Sequence, residues 1–87
     1  MESIKKAIGE QGMKCVHLLD KNGVTHEVLS TYSTIKNLID SWDEDYESSL
    51  RSAVALRIKV IGGLTFANEN LAELLRDRFT QLTYLCS

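Results

Sequence analysis

Lys14-Cys15-Val16-His17-Leu18-Leu19-Asp20-Lys21-Asn22-Gly23-Val24-Thr25-His26-Glu27-Val28-Leu29 is the stretch on which the fold class turns. Val16, Leu18 and Leu19 are apolar, and Cys15 and Val16 favour extended backbone, so Lys14 to Asp20 predicts a strand. Asn22-Gly23 is the strongest short hairpin signal, because both residues tolerate positive φ. Val24 to Leu29 then predicts the return strand. Lys21 would face Val24, Leu19 would face His26, and His17 would face Val28. One face carries Cys15, His17, Leu19, His26 and Val28, and the other Val16, Leu18 and Leu29 beside Glu27. Neither face is purely polar, which implies that both are partly covered.

Upstream, residues 1–12 read as a short N-terminal arm ahead of a single domain, residues 13–87. Ile4, Ala7 and Ile8 share a helical face there, and Gly9 and Gly12 limit it to about two turns. Downstream, Ser30 to Ser33 offers several N-cap residues. Ile35, Leu38, Ile39, Trp42 and Tyr46 then recur at three- and four-residue spacing, a structural stripe on one helix of about four turns. Its opposite face is Lys36, Asn37, Asp40, Asp43 and Glu44. Residues 49–61 fit two templates. Leu56, Ile58 and Val60 alternate with Arg57 and Lys59 as a strand would. Leu50, Val54, Ile58 and Ile61 fit a helix, and Ala53 and Ala55 favour it. Gly62-Gly63 ends either element. Asn68 or Asn70 caps a last helix with Leu71, Leu74, Leu75, Arg78, Phe79 and Leu82 on its apolar side, and Glu69 and Glu73 suit its N-terminal dipole. The expected class is α+β, a β-hairpin packed with two to three helices.

Composition excludes several functions. With 87 residues the chain holds one domain. Apolar content of 44% and charge of 25% argue against global disorder. A net charge of −2 argues against binding nucleic acid through phosphate attraction. The longest weakly charged run, Ser52 to Asn68, is cut by Arg57, Lys59 and two glycines, so no membrane span is expected. Ile4 to Ile8 is too short and charged to form the apolar core of a signal peptide. Cys15 and Cys86 are too few for a disulfide scaffold and read as reduced thiols. The absence of proline excludes a PxxP segment.

Chemistry-bearing residues are sparse. Cys15, His17 and His26 would meet on one hairpin face, with Cys86 or a carboxylate as a fourth zinc ligand, but no ligand spacing supports this. Cys15 and His17 would share a strand face as nucleophile and base, with nothing to orient the base. Asp40, Asp43, Glu44, Asp45 and Glu47 crowd around Trp42. They fail the calcium-loop pattern and read as an acidic helix end able to dock a basic partner. Gly62-Gly63 lacks the residues of a phosphate loop. Trp42 and Tyr46 fit core better than binding site. Tyr84 and Leu85 are left as a spare apolar end. The expectation is a non-enzymatic protein without cofactor or metal.

Thr31-Tyr32-Ser33, Trp42-Asp43, Tyr46, Ile61 and Gly63 resemble the globular core of rhabdovirus matrix proteins, especially the vesiculovirus type. The strand expected before Thr31 fits that pattern, and Met1 to Gly9 is similar to the family's hydrophobic, basic opening. The resemblance does not reach a proline budding motif, and only Lys5, Lys6 and Lys14 stand near the start. It implies a small viral matrix-like protein of the virion or host cytoplasm. Such a protein would act by contact with itself, the nucleocapsid or a host factor, as a homo-oligomer. Ile4, Lys5, Lys6 and Ile8 would touch a partner or, weakly, a membrane, each lysine contributing about 1 kcal/mol at an anionic surface. Leu18 to Gly23 and Thr34-Ile35-Lys36 give a second likeness, to BTB and elongin-C adaptors, which implies a protein-interaction role.

Overall fold

The computed structural model describes residues 2–64 and 70–87. The described residues form four helices: α1 (Glu2–Asn22), α2 (His26–Asp40), α3 (Ser48–Gly63) and α4 (Leu71–Leu85). No strand occurs among the described residues. The expected β-hairpin and α+β class are therefore overturned.

The reason lies in α1. It buries Ile8, Gly12, Cys15, Val16 and Leu19, an i, i+4, i+7, i+8, i+11 series along one helical face. Read at a period of two, the same residues fall on both faces of a strand. That is why neither hairpin face was polar. Asn22-Gly23 is used differently too. Only Gly23 has positive φ, at 72°, and its N–H donates to the Leu19 carbonyl at 3.0 Å. A type I′ turn needs positive φ at both central residues. A left-handed residue just past the last turn is instead a helix C-terminal stop.

Gly9 and Gly12 do not end α1. They lie inside it, where α4 crosses closely. A Cβ on Gly9 would stand 3.5 Å from the Cys86 Cβ, and one on Gly12 only 2.6 Å from the Thr83 Oγ1. Their cost in helix propensity is offset by this approach.

In α2, Val28, Thr31, Ile35 and Ile39 point inward. The helix stops at Asp40, earlier than the stripe through Trp42 and Tyr46 predicts. Both aromatics belong to the linker at 41–47. There the Trp42 indole, 2% exposed, donates from Nε1 to the Tyr46 carbonyl at 2.7 Å. Arg51 Nε donates to the Trp42 carbonyl at 3.1 Å. The linker closes at Glu47, which holds φ 46°, a left-handed conformation that is uncommon without glycine.

Residues 49–61 are helical, as the alanines favour. In α4, Leu75, Phe79 and Leu82 are buried and Asn70 is the N-cap residue. Asn68 and Glu69 lie outside the described residues. The helices form a ring in which each touches its two chain neighbours and α4 closes on α1. Short links make neighbours antiparallel. Asp20 at the C-terminal end of α1 meets Arg76 near the start of α4 at 2.6 Å. Lys5, near the start of α1, meets Glu47, just before α3, at 3.0 Å. This is an up-down-up-down bundle. The packing is uneven: α1 is tightly engaged with α2 and α4, whereas α3 touches its neighbours more sparsely.

Candidate functional site

The N-terminal residues singled out from sequence are absorbed into the bundle. Ile8 is fully buried and Ile4 packs against the core. Lys5 Nζ donates to Glu2 Oε1 at 3.0 Å and to the Glu47 carboxylate at 3.0 and 3.2 Å. Lys6 is exposed. Residues 2–12 are thus the first turns of α1, with one lysine spent on carboxylates.

Asp40, Asp43, Glu44, Asp45 and Glu47 are all exposed at one end of the bundle. Glu47 is engaged by Lys5, and Asp43 Oδ1 accepts the Asp45 N–H at 2.9 Å. Tyr46 joins this end by donating its hydroxyl to Glu2 Oε1 at 2.8 Å. That bond, with Lys5 beside it, holds the Glu2 carboxyl below its usual value, while the same bond pushes the Tyr46 phenol up. The two flanking carboxylates raise Lys5 further above the ordinary lysine range. The network braces the linker against α1. Of the structural stripe, Ile35, Ile39 and Trp42 are buried, and Leu38 and Tyr46 pack at its margin.

The cysteine and histidine readings lose their geometry. Two residues apart on a helix, Cys15 and His17 point about 200° apart. Cys15 is buried in the core, His17 is exposed, and His26 is the exposed first residue of α2. Among the described residues no three His, Cys, Asp or Glu side chains are grouped to hold a metal ion. Burial pushes the Cys15 thiol up to about 12 and raises that of Cys86. Both are poor nucleophiles, since reactivity needs thiolate.

The surface feature that remains is α3. Its inward residues are Val54, Ile58 and Ile61. Its outward side is not polar: Leu56 is 55% exposed and Val60 41%. Ser49, Ala53, Leu56, Val60 and Gly63 follow a four-three-four-three spacing, the seam of a coiled coil over two heptads. Gly63 has open space where a side chain would stand. At the edge of this seam Arg57 borders a shallow cavity of about 350 Å³ with Gln81, Tyr84 and Leu85. Tyr84 is 76% exposed, whereas Leu85, read with it from sequence as a spare apolar end, packs against the core. The Nε atoms of Arg57 and Arg78 are buried without a hydrogen-bond partner among the described residues. The heptad was available in the sequence. It was hidden because Leu56 and Val60 also alternate with charged residues.

Among the described residues no helix is long and apolar enough to cross a membrane. No protein-family model matches the chain, and neither does any curated protein or solved structure.

Proposed function

We propose that this chain is a non-enzymatic protein-contact domain that pairs with a second copy of itself through the outer face of α3. The observation that carries this reading is that α3 is apolar on two sides. A helix with apolar residues toward the core and again toward solvent is suited to burial on both. The adaptor likeness began with a strand before Thr31 and the matrix likeness included one, and that stretch is helix. The proposal therefore stands on the surface of α3 and not on ancestry.

Antiparallel pairing centred on Leu56 suits the seam. Ser49 then opposes Gly63 of the second copy, Ala53 opposes Val60, and Leu56 meets Leu56. Small residues at both ends of the seam, Ser49 against Gly63, let the helices approach closely around the central Leu56 pair. Charge favours the same direction. The acidic 43–47 segment of each copy lies toward the half of the other α3 that carries Arg57 and Lys59. Parallel pairing would stack the two acidic segments. The whole of α3, 16 residues, is about 24 Å long, so the interface is small and the affinity roughly micromolar or weaker.

Sedimentation equilibrium of the purified protein tests the pairing. Leu56→Glu is expected to abolish self-association while leaving the melting curve of the monomer unchanged, because Leu56 is exposed. Direction is tested by oxidising single-cysteine variants. Leu56→Cys forms a symmetric cross-link, and Ser49→Cys does not. A monomer at hundreds of micromolar, or efficient Ser49→Cys cross-linking, refutes the arrangement.

A further inference from the structure

On the other flank of α3, against α2, lies a cavity of about 320 Å³ that the self-pairing seam does not use. Its inner wall comes from three helices: Val28 of α2, Ile61 of α3, and Leu75 and Phe79 of α4. These four are at most 3% exposed, so the cavity reaches the core itself. Leu29, 44% exposed, stands at the rim with Tyr32 and Lys36.

The polar fittings at this rim are specific. Tyr32 donates its hydroxyl to the Ile58 carbonyl across the α2–α3 seam at 3.1 Å, which fixes the ring as a partition. The facing position is glycine, Gly62, and a Cβ there would stand 2.6 Å from the Tyr32 hydroxyl and displace it. The Lys36 ammonium lies 5.7 Å from the centroid of the same ring, which keeps it over the mouth. Lys5 and Arg76 are tied to carboxylates, but Lys36 has no ion pair with any described residue, Asp40 one turn away included. A second cavity of about 330 Å³ shares Tyr32 and Lys36 and is bordered by Lys59 and Asp40. Two ammonium groups and one carboxylate thus rim the seam.

We infer that the α2–α3 cavity binds a small amphipathic carboxylate, its alkyl tail against Leu29, Val28, Ile61 and Phe79 and its carboxylate on Lys36. An apolar cleft with one placed charge is the usual make-up of a small-molecule site. A carboxylate outside would complete the ion pair that Lys36 lacks. An alkyl chain inside would fill space that no described side chain fills.

Octanoate, octan-1-ol and octylammonium serve as probes in amide ¹H–¹⁵N titrations of the whole protein, below any micelle-forming concentration. Octanoate is expected to shift the amides of Val28, Leu29, Tyr32, Ile61 and Gly62 and to saturate. Octanol should bind the same site more weakly, and octylammonium more weakly still. Lys36→Gln, at an exposed position, should cost octanoate up to about fivefold in affinity and leave octanol unchanged. Leu29→Glu, also exposed, should weaken octanoate and octanol. Shifts that map elsewhere, octylammonium binding as tightly as octanoate, or Lys36→Gln without effect on octanoate would each overturn the assignment. Self-association through α3 is read separately by sedimentation, so either idea can fail alone.

Discussion

Gly12→Ala tests the closest helix crossing in the bundle. Alanine in place of a helical glycine ordinarily gains about 0.8–1.0 kcal/mol. Here the new Cβ would lie 2.6 Å from Thr83 Oγ1, 3.5 Å from the Phe79 carbonyl and 3.8 Å from Thr83 Cβ. Rotating Thr83 brings its methyl toward the same space and gives up the 2.9 Å bond from Oγ1 to the Phe79 carbonyl. Forcing a methyl into such a site costs about 1–3 kcal/mol. The net expectation for Gly12→Ala is a loss of about 1 kcal/mol, or about 4–8 °C in melting temperature for a domain of this size. Thr83→Ala removes the obstruction. It loses a half-buried methyl and a bond internal to the helix, gains helix propensity, and should be close to neutral. In the double variant the propensity gain is released, so the double variant should be more stable than Thr83→Ala by about 1 kcal/mol. The coupling between the two sites is then about 2 kcal/mol. Urea unfolding followed by far-ultraviolet circular dichroism at one protein concentration measures all four proteins. A Gly12→Ala protein stabilised by the full propensity gain, or a coupling under about 0.5 kcal/mol, would refute the close α1–α4 approach.

Trp42→Phe removes the indole donor to the Tyr46 carbonyl and leaves space behind it; a loss of about 1–3 kcal/mol in urea unfolding is expected, and one below about 0.5 would mean that Trp42 does not clamp the linker. Both thiols should resist iodoacetamide at pH 8 in the native state and react fully in denaturant, whereas rapid native labelling of either would contradict their burial. Because the Cys15 value is raised from 9.0 to about 12, the folded state holds its proton longer than the unfolded chain. Its contribution is complete below pH 9 and is lost as pH rises toward 12, so Cys15→Ala should flatten the alkaline fall in stability. Glu2 has the opposite sign: its lowered value contributes above the unfolded value of 4.5 and is lost as pH falls through the folded one. Glu2→Gln should therefore show a smaller drop in melting temperature on acidification than the parent, with a small difference because Glu2 is exposed, and an equal drop would remove Glu2 from the brace.

How legible each element was depended on whether its cues were local. The buried face of α4 and the body of α2 from Ile35 to Ile39 follow helical spacing that no local feature contradicts, whereas the inner stripe of α3 competes with the strand-like alternation of Leu56, Ile58 and Val60. In α1 two local cues pointed away from helix. Asn22-Gly23 has one local meaning, positive φ, and that serves a hairpin turn or a helix stop equally well. Gly9 and Gly12 have a local cost that reads as an end, and the compensation comes from Cys86 and Thr83, more than seventy residues away. Trp42 and Tyr46 misled in the reverse sense. Their spacing continues the α2 stripe, but the indole is better satisfied by the Tyr46 carbonyl once the chain has left the helix. The candidate surface on α3 was readable as a heptad. That it faces outward was not, because a helix apolar on two sides does not state which side the core takes.

The sequence by itself determined the apolar stripes, the helical spacing from Ile35 to Ile39 and the last helix from Leu71 to Leu82, and left residues 49–61 open between helix and strand. Those properties are local in range: periodicity, propensity and residue chemistry within a turn or two. Only the tertiary structure decided that residues 2–22 are one helix, that the linker rather than α2 carries Trp42, and that α3 keeps an apolar side for solvent. Each of those depends on a contact between residues distant in the chain, and the free energy of such contacts does not appear in any local window.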